Sequence, residues 1–111
     1  MNFLIKGMKR LKQGNTDFSL LYDALLCLGS REECAAFLDD LCTASEISSI
    51  NQRLVVAKML SEGKIYNEIS MTTGASTATI SRVKRTLESK YSGDGYRIIL
   101  PRLADSEKEA E

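Results

Sequence analysis

The stretch TASEISSINQRLVVAKMLSEG, residues 43–63, sets the scale of whatever this chain builds. Thr43 is followed three residues on by Glu46, the spacing at which a helix-starting hydroxyl and a carboxylate satisfy each other's backbone N–H groups. Ile47, Ile50, Leu54 and Ala57 then recur at helical spacing; Val55, Val56, Met59 and Leu60 broaden the stripe, and Gly63 ends it. The pattern predicts a helix of about twenty residues, roughly 30 Å long. In a chain of 111 residues, such a broadly apolar helix is expected to cross a centre shared with other helices, its own or those of a second chain.

Helical periodicity continues on both sides. In TDFSLLYDALLCL, Thr16 or Asp17 caps a stripe of Phe18, Leu21, Leu25 and Leu28, widened by Leu20 and Leu26 and ended by Gly29. Ser30 and Glu33 repeat the capping spacing ahead of Cys34, Phe37, Leu38 and Leu41, with Glu32, Asp39 and Asp40 on the solvated side. After Gly63 the pattern predicts a short helix over about 66–73, a glycine-containing turn, and a helix over about 76–90. YSGDGY reads as a turn, and RIILPRL, interrupted by Pro101, is too short to classify. Residues 1–15 are expected to be a mobile arm, 16–103 the helical domain and 104–111, ADSEKEAE, a disordered acidic tail. One proline and seven glycines are too few turn residues for a many-stranded sandwich or barrel. The expected fold class is all-α.

The formal net charge is zero, but the charge is segregated. Residues 18–49 carry one base and six acids, net −5, whereas residues 76–103 carry six bases and two acids, net +4. A basic C-terminal segment hidden behind an acidic first half says more about partners than the total does. Cys27, Cys34 and Cys42 have no Cys-x-x-Cys spacing, and the chain has no histidine, which leaves little for a metal site. They read as reduced core thiols of a cytoplasmic protein. MNFLIKGMKRLKQGN lacks the long apolar segment and cleavage site of a signal peptide. No run approaches about eighteen consecutive apolar residues, so no membrane span is expected.

The plainest stretch carries the chemistry. EISMTTGASTATISRVKR, residues 68–85, has no aromatic residue and no acid after its first position until Glu88. Helix, short turn with glycine, helix is the helix-turn-helix arrangement, here placed at about residues 65–90. Ser70 offers a small residue where the helices cross, Gly74 a positive φ at the turn, and Ser76 a cap for the second helix. Ile69, Ile80, Val83 and Leu87 fall on the inner face. The outer face is then Thr77, Ala78, Ser81, Arg82 and Arg85, with Thr79 and Lys84 at its margins. Small and hydroxylic residues at the start of such a helix fit a major groove about 12 Å wide. Basic residues one or two turns later reach phosphates. Ser76, Thr77, Ala78, Thr79, Ser81, Arg82, Lys84 and Arg85 are therefore the candidate contacts to double-stranded DNA. The competing reading is a helical hairpin with a solvated face that serves protein interaction instead. No catalytic residues are expected: there is no nucleophile-and-base pairing, phosphate loop or metal cluster.

LCTASEISSINQRLVVAKMLSEGKIYNEISMTTGASTATISRVKR resembles the Trp repressor superfamily, in its YerC/YecD-type branch. GASTATISR is the most specific piece; DDLCTASEI and DGYRIILPRL are also similar, and the resemblance spans roughly residues 20–103. It implies a six-helix, intertwined homodimer whose two reading helices meet grooves about 34–36 Å apart. It implies a transcriptional regulator, a repressor in the family's type case. It also implies a ligand site: Arg53 and Arg82 match the arginines that flank tryptophan, Thr43 a threonine lining the site, and Thr86 a serine that helps bind the amino acid. Val83 stands where that site has glycine and Asp40 where it has leucine, and the linker after Gly63 is one residue shorter. The expectation is no obligatory cofactor, with L-tryptophan or another small corepressor as the ligand class the resemblance implies.

Overall fold

The computed structural model describes residues 17–110, which form six helices and no strand. They are α1 (Ser19–Leu26), α2 (Arg31–Leu41), α3 (Ala44–Ser61), α4 (Tyr66–Thr73), α5 (Thr77–Glu88) and α6 (Asp94–Ala110). No helix of these residues is long and apolar enough to cross a membrane. The single helical domain expected over 16–103 is divided between Leu41 and Cys42 into two compact units. Thr16 and the expected arm over 1–15 lie outside the described residues.

The first unit contains α1 and α2. Asp17 Oδ1 accepts the Ser19 N–H at 3.0 Å and the Ser19 hydroxyl at 2.6 Å, steadying the start of α1. At α2 the Ser30 hydroxyl accepts the Glu33 N–H at 3.1 Å, as the spacing predicts. The Glu33 carboxylate, however, accepts the N–H of Gly29 at 2.7 Å rather than that of Ser30. Neither helix buries a side chain completely, and Leu20 and Leu26 remain 83% and 80% exposed.

The second unit is built on α3. Its capping box is complete: the Glu46 N–H donates to Thr43 Oγ1 at 3.1 Å, and the Thr43 N–H donates to Glu46 Oε1 at 2.8 Å. Hydrogen bonds from the Thr43 backbone and then its side chain hold the Glu46 carboxyl below its ordinary value. At the other end Gly63 adopts φ 81. There the N–H groups of Gly63 and Lys64 return to the carbonyls of Leu60 and Met59, each at 3.0 Å. That left-handed exit closes the helix where the glycine was expected to stop it.

The core of this unit is small. Val56 and Ala57 of α3, Ile69 of α4, Ala75 of the turn, and Ile80 and Val83 of α5 are buried. Met59, Leu60, Tyr66, Leu87, Tyr96 and Leu100 pack around them. Each fully buried Val or Ile contributes about 1.5–3 kcal/mol relative to exposure. The buried side of α3 is thus centred on Val56 and Ala57, while Ile50 and Leu54 of the expected stripe are 49% and 36% exposed in the single chain. The cysteines expected in the core are elsewhere: Cys27 is exposed, and Cys34 and Cys42 are half-buried free thiols.

The C-terminal segment departs most from expectation. YSGDGY is a turn only as far as Gly93; Asp94 begins α6, which passes through Pro101 and continues to Ala110. The expected disordered tail from residue 104 is therefore helical through its described residues. Tyr96 and Leu100 anchor the helix on the core, and Lys58 Nζ of α3 pairs with Glu107 at 3.1 Å as well as with Glu62 at 2.8 Å. Hydrogen bonds to Glu62 and then Glu107 raise the Lys58 ammonium above its ordinary value. A composition that looks soluble and unstructured is ordered here by contacts distant in sequence.

The capping box has a pH signature. An unfolded Glu46 carboxyl titrates near 4.5 and the folded one lower. Wild type is therefore expected to exceed Glu46→Gln in stability above about pH 4.5, with that advantage vanishing as pH falls through the folded value. Urea midpoints of the two proteins at neutral and strongly acid pH check this; an equal difference at both would contradict it.

Candidate nucleic-acid interface

The turn between α4 and α5 is shaped by local chemistry and tied down by one contact from α3. Gly74 adopts φ 73, ψ 5 and donates its N–H to the Ser70 carbonyl at 2.8 Å. An added Cβ there would meet nothing within 4 Å, so the need for glycine is conformational rather than steric. Ala75 is 2% exposed. It is the small residue that lets the two helices close on each other, whereas Ser70, expected in that role, is exposed. The Thr73 hydroxyl donates to the Ile69 carbonyl at 2.7 Å and accepts the Ala75 N–H at 3.1 Å. From α3, Gln52 Nε2 donates to the Thr73 carbonyl at 3.1 Å. That contact ties the turn to the long helix across 21 residues of sequence.

Ser76 starts α5 in extended backbone, φ −70 and ψ 158, and its hydroxyl oxygen accepts the Thr79 N–H at 3.1 Å. The same hydroxyl lies 3.1 Å from Thr79 Oγ1. The first turn of α5 has no acidic residue, so its amide-rich positive end keeps its attraction for an external anion. Ile80 and Val83 are buried and Leu87 is half-buried, the inner face expected from periodicity.

Opposite them, Thr77, Ala78, Arg82, Lys84 and Arg85 are exposed, as is Ser76. Among the described residues no carboxylate lies within ion-pair range of Arg82, Lys84 or Arg85. Thr79 and Ser81 are half-buried. The eight candidates thus share one helix but not one environment. Tyr66, at the start of α4, explains the difference at one edge: its hydroxyl is 3.5 Å from Ser81 Oγ, and Lys84 Nζ stands 5.7 Å from its ring centroid. Tyr66 and Gln52 were not found by sequence reasoning. Their partners lie 15 and 21 residues away, and nothing in local spacing marks them.

The residues expected at a ligand site occupy three places. Thr43 is the N-cap of α3, with its hydroxyl engaged by Glu46. Arg53 is exposed midway along α3, beside an open hollow lined by Ser45, Glu46, Ser49 and Ile50. Arg82 is exposed on α5, and Thr86, one turn on, is half-buried and donates its hydroxyl to the Arg82 carbonyl at 3.2 Å. Val83 is 3% exposed and forms part of the core.

Comparison with known proteins agrees with this geometry. The family model for the Trp repressor protein matches residues 16–104. The uncharacterised protein YerC of Bacillus subtilis strain 168 is 52% identical over 90 residues, covering 81% of this chain and 85% of that protein. A crystal structure of a Trp repressor-like protein from Staphylococcus aureus superposes with a TM-score of 0.75 at 48% identity, covering 87% of this chain and 93% of the other. A TrpR-like protein from Eubacterium eligens gives a TM-score of 0.71 at 48% identity, over 78% and 87% of the two chains. The chain belongs to the Trp repressor family.

Because Gly74 has open space around it, Gly74→Ala isolates the backbone term. It is expected to destabilise the protein by about 1–2 kcal/mol, the cost of a left-handed conformation for a residue with Cβ. Chemical denaturation measures this; a neutral substitution would contradict the strained geometry.

Proposed function

We propose that the chain, as a member of the Trp repressor family, is a sequence-specific DNA-binding transcriptional regulator that acts as a homodimer and represses. The observation that carries this reading is the exposed face of α5: Thr77, Ala78, Arg82 and Arg85 over a helix pinned from behind by Ile80 and Val83. In this reading the α5 N-terminus enters the major groove, where hydroxyls, amides and methyl groups meet base edges. Arg82, Lys84 and Arg85 take the flanking phosphates. Thr79 and Ser81 act at the margin, since their hydroxyls already have neighbours within the protein.

Homodimer formation is supported by apolar surface that the single chain leaves open. Ile50 and Leu54 lie on one stripe of α3, and both stay accessible; in α1, Leu20 and Leu26 are also exposed. We further propose that DNA binding has no obligatory corepressor. Of the ligand candidates, Thr43 and Thr86 already have their hydroxyls in hydrogen bonds, and Arg82 stands on the exposed α5 face as a phosphate contact.

Selection from random duplexes, with and without L-tryptophan, tests the reading. An enriched sequence obtained equally in both arms is expected. Failure to enrich any sequence would favour a helical protein-interaction module. Arg85→Ala is expected to weaken binding to all duplexes and to reduce the slope of log affinity against log salt by about 1, as one phosphate contact is lost. An unchanged slope would remove Arg85 from the interface. Ile50→Asp is expected to leave helix content in place but yield a monomer by sedimentation; a dimer of unchanged mass would refute the placement of that face.

A further inference from the structure

The end of α5 is held in an unusual way. Its C-cap, Ser89, is extended at φ −73, ψ 143, so no left-handed residue turns the chain back to cover the last carbonyls. The Ser89 N–H returns to the Thr86 carbonyl at 3.3 Å. The Leu87 and Ser89 carbonyls are met from the next helix instead. Arg97, in the first turn of α6, donates from Nη2 to the carbonyl oxygens of Leu87, at 3.1 Å, and of Ser89. Its Nη1 donates to the Ser92 carbonyl at 2.8 Å and to Asp94 Oδ1 at 3.2 Å.

A second feature marks the same joint. Gly93 adopts φ 90, and a Cβ there would lie 2.3 Å from the Thr86 carbonyl oxygen. The chain entering α6 therefore passes so close to the end of α5 that only glycine fits.

From these two observations we infer that Arg97 is a positioning residue for DNA binding: its guanidinium straps the C-terminal end of α5 to α6 and so fixes Arg82, Lys84 and Arg85. This rests on the reading of α5 as the DNA-contacting helix. A planar fork of donors suits three carbonyls and a carboxylate at once, and a cation at a helix C-terminus is favoured by the backbone dipoles. Arg97 belongs to the basic segment by composition, but its Nη1 and Nη2 groups donate to its own chain. It is not one of the phosphate contacts.

Full-length wild type, Arg97→Ala, Arg97→Lys and Gly93→Ala test this in two ways. The first is amide hydrogen exchange without DNA. Residues 85–89 are expected to exchange about tenfold faster in Arg97→Ala, the equivalent of one charge-assisted hydrogen bond. Amides around Ile69 and Ile80 should keep wild-type protection. Arg97→Lys keeps the charge but not the fork and should resemble Arg97→Ala, and Gly93→Ala should loosen the same turn with Arg97 intact.

The second is binding to a fixed mixed-sequence duplex across a potassium chloride series. Affinity is expected to fall by about tenfold in Arg97→Ala, with the salt slope unchanged. A slope lowered by about 1 with unaltered exchange would make Arg97 a direct phosphate ligand and overturn the inference. So would full rescue by lysine, or unchanged exchange at residues 85–89. If wild type bound no duplex while the exchange results held, the DNA reading of α5 would fail and the strap would stand as a feature of the fold alone.

Discussion

Burial of Ile69, Ala75, Ile80 and Val83 against Val56 and Ala57 of the long helix is the contact on which the rest of the second unit depends. It consumes one side of α5 and thereby frees the other. A helix presents side chains all around its axis, so anchoring positions 80 and 83 inward leaves 77, 78, 82 and 85 facing out. The small residues at the front of α5 are compatible with a reading role because they are not needed to hold the helix. The Thr43–Glu46 capping box, the Gly63 exit and the Gln52 amide on the Thr73 carbonyl keep α3 and the turn in register with that core.

The pieces of this arrangement that depend on short-range rules were legible in the sequence. The Thr43–Glu46 box, Gly63, Gly74 and the Ser76 cap each occupy the position their backbone chemistry predicts. The inward set of Ile69, Ile80, Val83 and Leu87 followed from periodicity alone. What escaped depends on pairs far apart in the chain. The helical C-terminal segment owes its order to Tyr96, Leu100 and the Lys58–Glu107 pair, none of which composition reveals. By local rules Pro101 reads as an interruption, but it lies within α6. Ser70 and Ala75 are both small, and sequence alone does not say which of them sits at the crossing; burial places Ala75 there. Ile50 shares its stripe with buried Ala57, two turns on, but lies near the end of α3 away from the core and is exposed in this single chain; Val56, the other side chain α3 buries, is about a third of a turn round the helix.

Charge gives the same picture at larger scale. A chain with no formal net charge would not attract DNA as a whole. The acids are concentrated in residues 18–49 and the bases in 76–103, and α5 presents its three bases without carboxylate partners among the described residues. Membership of the Trp repressor family accords with that division. The strap formed by Arg97 refines it: not every base in a basic segment is available to a phosphate, and one whose donors are occupied by carbonyls does its work by holding its neighbours.

The claim that the outer face of α5 meets DNA is tested most directly by backbone amide chemical shifts followed through a titration with a selected duplex. The largest perturbations are expected in residues 76–85. Perturbations centred on α1 and α2, with residues 76–85 unmoved, would contradict the account.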